Sequence, residues 1–164
     1  MIPIIPLIGV GIALIGIGIA AWAAWEARRA ADASKKSIEA QIVYTAMTEY
    51  FGKEMVSNLR ILRDWKDKYK DNFATKWWHE FKEENPEAKK VDAARRQVKG
   101  FFVKAERLHS NKIISDSALK AVAHVHGIDI FYDIVCPLDK KLNPNDPIKT
   151  ETYLVKNVGR YEQK

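Results

Sequence analysis

The sequence predicts an all-α protein, with one N-terminal transmembrane helix continuing into a cytoplasmic bundle of about five helices. Three observations carry that prediction. No charged residue occurs from Ile2 to Trp25. Downstream, apolar residues recur at helical spacing, and no stretch holds a convincing period-two alternation. The punctuating residues Gly52, Asn85-Pro86, Gly127, Pro144 and Pro147 fall between the apolar stripes.

The uncharged run is long enough to span. As a helix it measures roughly 36 Å, against a hydrocarbon core of about 30 Å. Pro3 and Pro6 sit in its first turns, where no intrahelical N–H partner is lost. Trp22 and Trp25 stand at its far end, as interfacial aromatics do. Ala21-Trp22-Ala23 mimics a leader cleavage site, but no basic region precedes the run and the run is too long, so a retained anchor is expected. Arg28, Arg29, Lys35 and Lys36 follow it closely. Positive flanks stay on the cytoplasmic side, which places the N-terminus outside the cytoplasmic membrane and everything after Trp25 in the cytoplasm.

The same run carries small residues three or four apart: Gly9, Ala13, Gly16, Ala20 and Ala24. Glycine weakens a helix unless a neighbouring helix approaches closely, so this stripe is a candidate helix-packing face. The blander reading is that Gly and Ala are common in membrane helices.

Residues 1–25 are therefore read as the anchor, 26–37 as a charged helical neck and 38–164 as the helical domain. The first helix is expected to continue through Ile38, Ile42, Val43, Ala46, Met47, Tyr50 and Phe51 and to stop at Gly52. A second, over 53–70, buries Met55, Leu59 and Leu62, with Trp65 or Lys66 completing the stripe. A third, over 73–84, carries Trp77, Trp78 and Phe81 and ends before Asn85-Pro86. A fourth is expected to start near Asp92 as N-cap and to bury Ala94, Val98, Phe101, Phe102, Ala105 and Leu108. Ser115 opens a fifth, with Leu119, Val122 and Val125 inward, closed by Gly127. Residues 128–142 form a sixth segment interrupted at Cys136-Pro137; 128–135 also suits a strand by composition. Tyr153, Leu154 and Val158 mark a short final element.

Leu59-Arg60-x-Leu62, Val98-x-x-Phe101-Phe102 followed by Leu108, Ile113-Ile114-Ser115, and Phe131 ahead of Cys136-Pro137-Leu138 carry a resemblance. On these residues, spread over about 38–143, the chain resembles a family of mostly bacterial single-pass membrane proteins catalogued as a domain of unknown function. The resemblance implies the same topology, a membrane helix before a compact helical domain, and no activity.

Composition narrows the chemistry. The 164 residues leave room for one domain and an anchor, not for a multidomain enzyme. One cysteine, Cys136, supports neither a disulfide framework nor a Cys-based zinc site. His124 and His126 are two apart, so on a helix they point about 200° from each other and cannot share a metal; they could share one only if the segment were a strand. Asp129 and Asp133 are four apart on one helix face; paired carboxylates perform acid–base work only in a dry cleft, and solvated surface is the plainer reading. No phosphate loop, Walker lysine or nucleophile elbow is present. No cofactor, metal or catalytic residue is expected.

Binding is the better prospect. Lys plus Arg number 27 against 21 Asp plus Glu, a formal charge of +6. Lys89, Lys90, Arg95, Arg96 and Lys99 lie in one stretch and, with the basic neck, are candidates for anionic lipid or partner contact. Nucleic acid is the less favoured partner, and a solvated helix face with interspersed acids the plainest reading. Trp77 and Trp78 diverge by about 100° on a helix, so they cannot face one core together, and one of them is a candidate partner anchor. The expected function is a non-catalytic, membrane-anchored accessory or interaction subunit. Its span would pack on a larger integral membrane protein or on itself. The alternative is a membrane-tethered sensor binding anionic lipid or nucleic acid through the basic face.

Overall fold

A computed structural model describes residues 5–123, 127–145 and 149–159, with side chains from residue 18 onward. All described elements are helical. The chain forms two compact units, residues 1–38 and 39–164. Helix α1 runs Ile5–Tyr50, so its last turns belong to the second unit. Among the described residues no single helix is long and apolar enough to cross a membrane. Of the span expected over residues 2–25, only residues 18–25 have described side chains.

In the second unit the chain continues as α2 (Lys53–Tyr69), a 3-10 turn, α3 (Phe73–Lys82), α4 (Pro86–Ser110) and α5 (Asp116–Ala123). The short α6 (Gly127–Ile130) leads through a π turn (Phe131–Val135) into α7 (Cys136–Leu142), and α8 (Lys149–Asn157) follows. Counting α6, the π turn and α7 as one run, the described residues hold six helical segments beyond α1, against the expected bundle of about five. The stretch 128–135 is helical, not a strand.

Helix α4 is the central element. Ala88, Val91, Ala94, Val98, Phe101, Phe102 and Ala105 are all buried, an arc wider than one stripe, because α2, α3, α5, the π turn and α8 all pack on it. The start expected near Asp92 is corrected to Pro86. Asn85 is the N-cap, its side chain accepting the Glu87 N–H at 2.8 Å, and Pro86 takes N1, where its missing N–H costs nothing. Asp92 is therefore interior, and it is buried.

The π turn has a cause in the sequence. Pro137 lacks an N–H and its ring would crowd the carbonyl four residues back in a regular helix. The chain widens instead, and the Cys136 N–H reaches the Phe131 carbonyl, five residues away. This keeps Phe131, Val135, Cys136 and Leu138 in the core without a break in the helical path.

Gly127, expected to end α5, is the first described residue of α6, and Tyr50 leaves no room for a side chain at that position. A Cβ there would lie 2.6 Å from Tyr50 Cε2 and 2.8 Å from Cζ, and closer still to the hydroxyl. Tyr50 cannot swing away: it is buried and packs edge-on to Phe51 and tilted against Phe101. Gly127→Ala is expected to destabilise the fold by about 1–3 kcal/mol, the range for overpacking. Tyr50→Leu on that background should restore part of the loss. A shift in urea midpoint that is no smaller in the double variant would reject this contact as the cause.

Candidate functional site

The basic stretch of α4 does not form an open cationic face. Arg95 lies on the inward arc and is buried, its guanidinium 5.9 Å from the centre of the Trp77 ring. Its Nε and Nη2 donate to Asp92 Oδ1 at 3.0 and 2.8 Å, and Nη1 donates to Asp139 Oδ1 on α7. The second oxygen of Asp139 accepts from Lys99 at 2.6 Å, and that of Asp92 pairs with Arg96 at 2.6 Å. Three cations and two carboxylates thus form one network with every carboxylate oxygen engaged, which satisfies the main requirement for burying charge. Arg95 is corrected from a candidate lipid contact to a buried tie between α4 and α7. Lys99 and Arg96 are pinned to it, Lys89 lies 3.5 Å from Glu84, and Lys90 is exposed.

Trp77 and Trp78 diverge as their spacing requires. Trp77 is fully buried and donates its Nε1–H to the Ala88 carbonyl at 3.1 Å, so it too leaves the set of contact candidates. Trp78 is half-buried, stacks against Phe81, and carries the Lys82 ammonium 4.5 Å from its ring centre. It is the tryptophan of the pair that a partner can reach.

The first unit presents the rest of the expected contact residues. Arg28, Arg29, Lys35 and Lys36 are exposed, and Arg29 stacks over Trp25 at 5.5 Å. Ala20 and Ala24 are exposed; the side-chain positions of Gly9, Ala13 and Gly16 lie outside the described residues. Ile19, Trp22 and Trp25 are 63%, 64% and 55% exposed, a concentration of uncovered large apolar side chains on one short stretch of helix.

Two polar arrangements escaped the sequence reading. His109 is held at both ring nitrogens, by Tyr153 Oη at 2.7 Å and by Asp116 Oδ1 at 2.6 Å, which ties α8 to the corner between α4 and α5. Burial and the carboxylates of Glu106 and Asp116 push the Tyr153 phenol up from its ordinary value. An imidazole engaged on both sides has no free nitrogen for a substrate, so this group is read as a clamp. His124 and His126 lie outside the described residues, as does Val125.

The second is a recess of about 380 Å³ between α2 and the α6–π run. Arg63, Lys66 and Asp67 line it from α2; Asp129, Ile130, Asp133 and Ile134 line it from the other side. Lys66 and Asp133 approach to 3.7 Å across it. The spacing of Asp129 and Asp133 did place them on one face, but nothing local showed that the charged side of α2 would stand opposite. Nearby, burial raises the Tyr50 phenol above its ordinary value, with a smaller rise from Asp129 offset by the Gly127 backbone and Arg63. Among the described residues no group of three or more His, Cys, Asp or Glu is arranged to hold a metal ion.

Compared with protein-family models, curated proteins and solved structures, the chain matches none.

Proposed function

We propose that the chain is a membrane-anchored, non-catalytic interaction subunit. Residues 2–25 span the bilayer with the N-terminus outside, and the helical domain docks on a partner at the cytoplasmic face. The observation that carries this reading is the exposure of Ile19, Trp22 and Trp25 at the end of an uncharged run, immediately before Arg28 and Arg29. Aromatics at the interface followed by cations on the cytoplasmic side are what a bilayer selects. The burial of Arg95 and the hold of buried Asp139 on Lys99 favour a docking role over an anionic-lipid sensor, because both cations are withdrawn from the expected basic face.

The small-residue stripe gives the span its partner face. In this reading the span packs on a larger integral membrane protein, or on a second copy, through Gly16, Ala20 and their neighbours. The test is expression of the full chain beside a Gly16→Leu/Ala20→Leu variant, followed by alkaline carbonate washing and native mass spectrometry of the detergent extract. Both chains should stay in the washed membranes, and the variant should lose the partner or the self-association seen for the parent. Release of the parent by carbonate would overturn the anchor. Unchanged association of the variant would overturn the packing face.

A further inference from the structure

We propose that two copies of this chain pair in parallel through the uncharged face of α1, over residues 27–51. The surface lies beyond the expected span, and the pairing does not rest on that span crossing a bilayer. Along α1 the charges are sorted to one side. At 100° per residue, Arg28, Arg29, Asp32, Lys35, Lys36 and Glu39 fall within an arc of about 120°. The rest of the circumference over 27–39 carries only Ala, Ser and Ile38. All of residues 27–38 are exposed in the single chain. A helix that meets water on every side has no reason to sort its charges; sorting marks a side that is covered.

The last turns of α1, within the second unit, are sorted too. Ile42, Val43, Ala46 and Tyr50 pack into the core. Gln41, Tyr44, Thr48 and Phe51 stay exposed. Tyr44 and Phe51, at 75% and 63%, are the most exposed large apolar side chains among the described residues of that unit. Phe51 keeps a helical position, its N–H donating to the Met47 carbonyl at 2.9 Å. The hydroxyls of Thr45 and Thr48 donate back to the carbonyls of Gln41 and Tyr44 at 2.8 and 2.9 Å, so covering them strands no donor. In the sequence these exposed residues continue the spacing of Ala27, Ala30, Ser34 and Ser37, alternately three and four apart. That is the a/d seam of a two-stranded coiled coil, and it runs for roughly 36 Å or about three and a half heptads, enough to hold one.

The flanks of the seam commit it to a second copy. The e and g positions, among them Ala31, Ala33, Ile38 and Ala40, hold no charge. A different partner selected by charge would be read at those positions, whereas two identical chains must keep like charges off them. Gln41 sets the direction. In a parallel, in-register pair its amide meets the partner's Gln41, and each amide donates to the other.

The test is copper-catalysed disulfide formation in the full chain, in native membranes and in detergent micelles, with one cysteine introduced at a time. The parent, whose Cys136 is buried, sets the background. Ala30→Cys, Ser37→Cys and Tyr44→Cys should give a covalent dimer of twice the chain mass at least about tenfold faster than Asp32→Cys and Lys36→Cys, because only the seam brings Cα atoms within about 7 Å. All five positions are exposed, so each variant keeps the fold. In sedimentation, Ser37→Glu should weaken the dimer at least about tenfold by setting two carboxylates against each other, and Lys36→Glu should leave it intact. Carbonate washing reads the anchor separately: release of the chain with this cross-linking pattern preserved removes the span and keeps the pairing. No dimer at any seam position overturns the proposal. So does equal cross-linking at 32 and 36, a cross-link confined to one seam position as an antiparallel pair would give, a product containing another protein, or a dimer that Ser37→Glu leaves unchanged.

Discussion

Asp139→Ala is expected to destabilise the helical domain by about 3–5 kcal/mol, the cost of leaving a buried charge without its partner. Arg95 is the group left stranded. Its guanidinium is 6% exposed, and of its two acceptors only Asp92 would remain. Lys99 loses its partner too, but it is 33% exposed and can turn to water. Against a domain stability of 5–15 kcal/mol typical of folded proteins, a loss of that size leaves a visible unfolded population at growth temperature. Replacing the buried triad together, as Asp92→Leu/Arg95→Met/Asp139→Leu, should cost far less, because desolvation is removed along with attraction. Urea unfolding followed by tryptophan fluorescence compares the two. A triple variant no more stable than Asp139→Ala alone would show that the network contributes more than charge compensation, and this account of it would be wrong.

Trp77→Ala should cost a similar amount, about 3–5 kcal/mol. The indole is fully buried, stacks on Phe81 and lies beneath the Arg95 guanidinium, so truncation opens a cavity beside a buried charge. It also removes the donor to the Ala88 carbonyl. Trp77→Phe retains most of the packing and should lose about 1–2 kcal/mol for the missing hydrogen bond and volume. The adjacent Trp78→Ala should lose about 1 kcal/mol or less, since its ring is half-exposed. If Trp78→Ala unfolds at lower urea than Trp77→Ala, the assignment of inward and outward tryptophans is reversed.

The neighbouring tryptophans show how far spacing alone reaches. A 100° step between consecutive residues forces one of the two outward, and that much is geometry. Which one goes inward depends on the direction in which α3 meets α4 and α7, and no local pattern encodes it. Arg95 gives the converse case. It reads as surface because arginine is rarely buried unpaired, and its chief partner outside its own helix, Asp139, is 44 residues away in sequence. The same distance problem hid the clamp between His109 and Tyr153.

Boundaries failed where their signals were ambiguous. Asn85-Pro86 marks a helix end, because the residue before proline avoids the helical region, and equally a helix start, because proline suits N1. Read only as a stop, it left Asp92 to serve as cap. Three turns also close without glycine: Lys70, Glu84 and Lys112 have φ of 48°, 60° and 59°. A rule that looks for glycine after a helix passes over all three.

What the sequence determined by itself is the helical class, the positions of most apolar stripes and the uncharged run at the N-terminus. These follow from periodicity and composition, which act within a few residues. What only the tertiary structure decided is which charges are buried, which tryptophan faces out, and that α2 stands across a gap from Asp129 and Asp133. Those outcomes depend on elements tens of residues apart meeting in space. Their energies come from desolvation and pairing at the contact, and neither exists until the helices have packed.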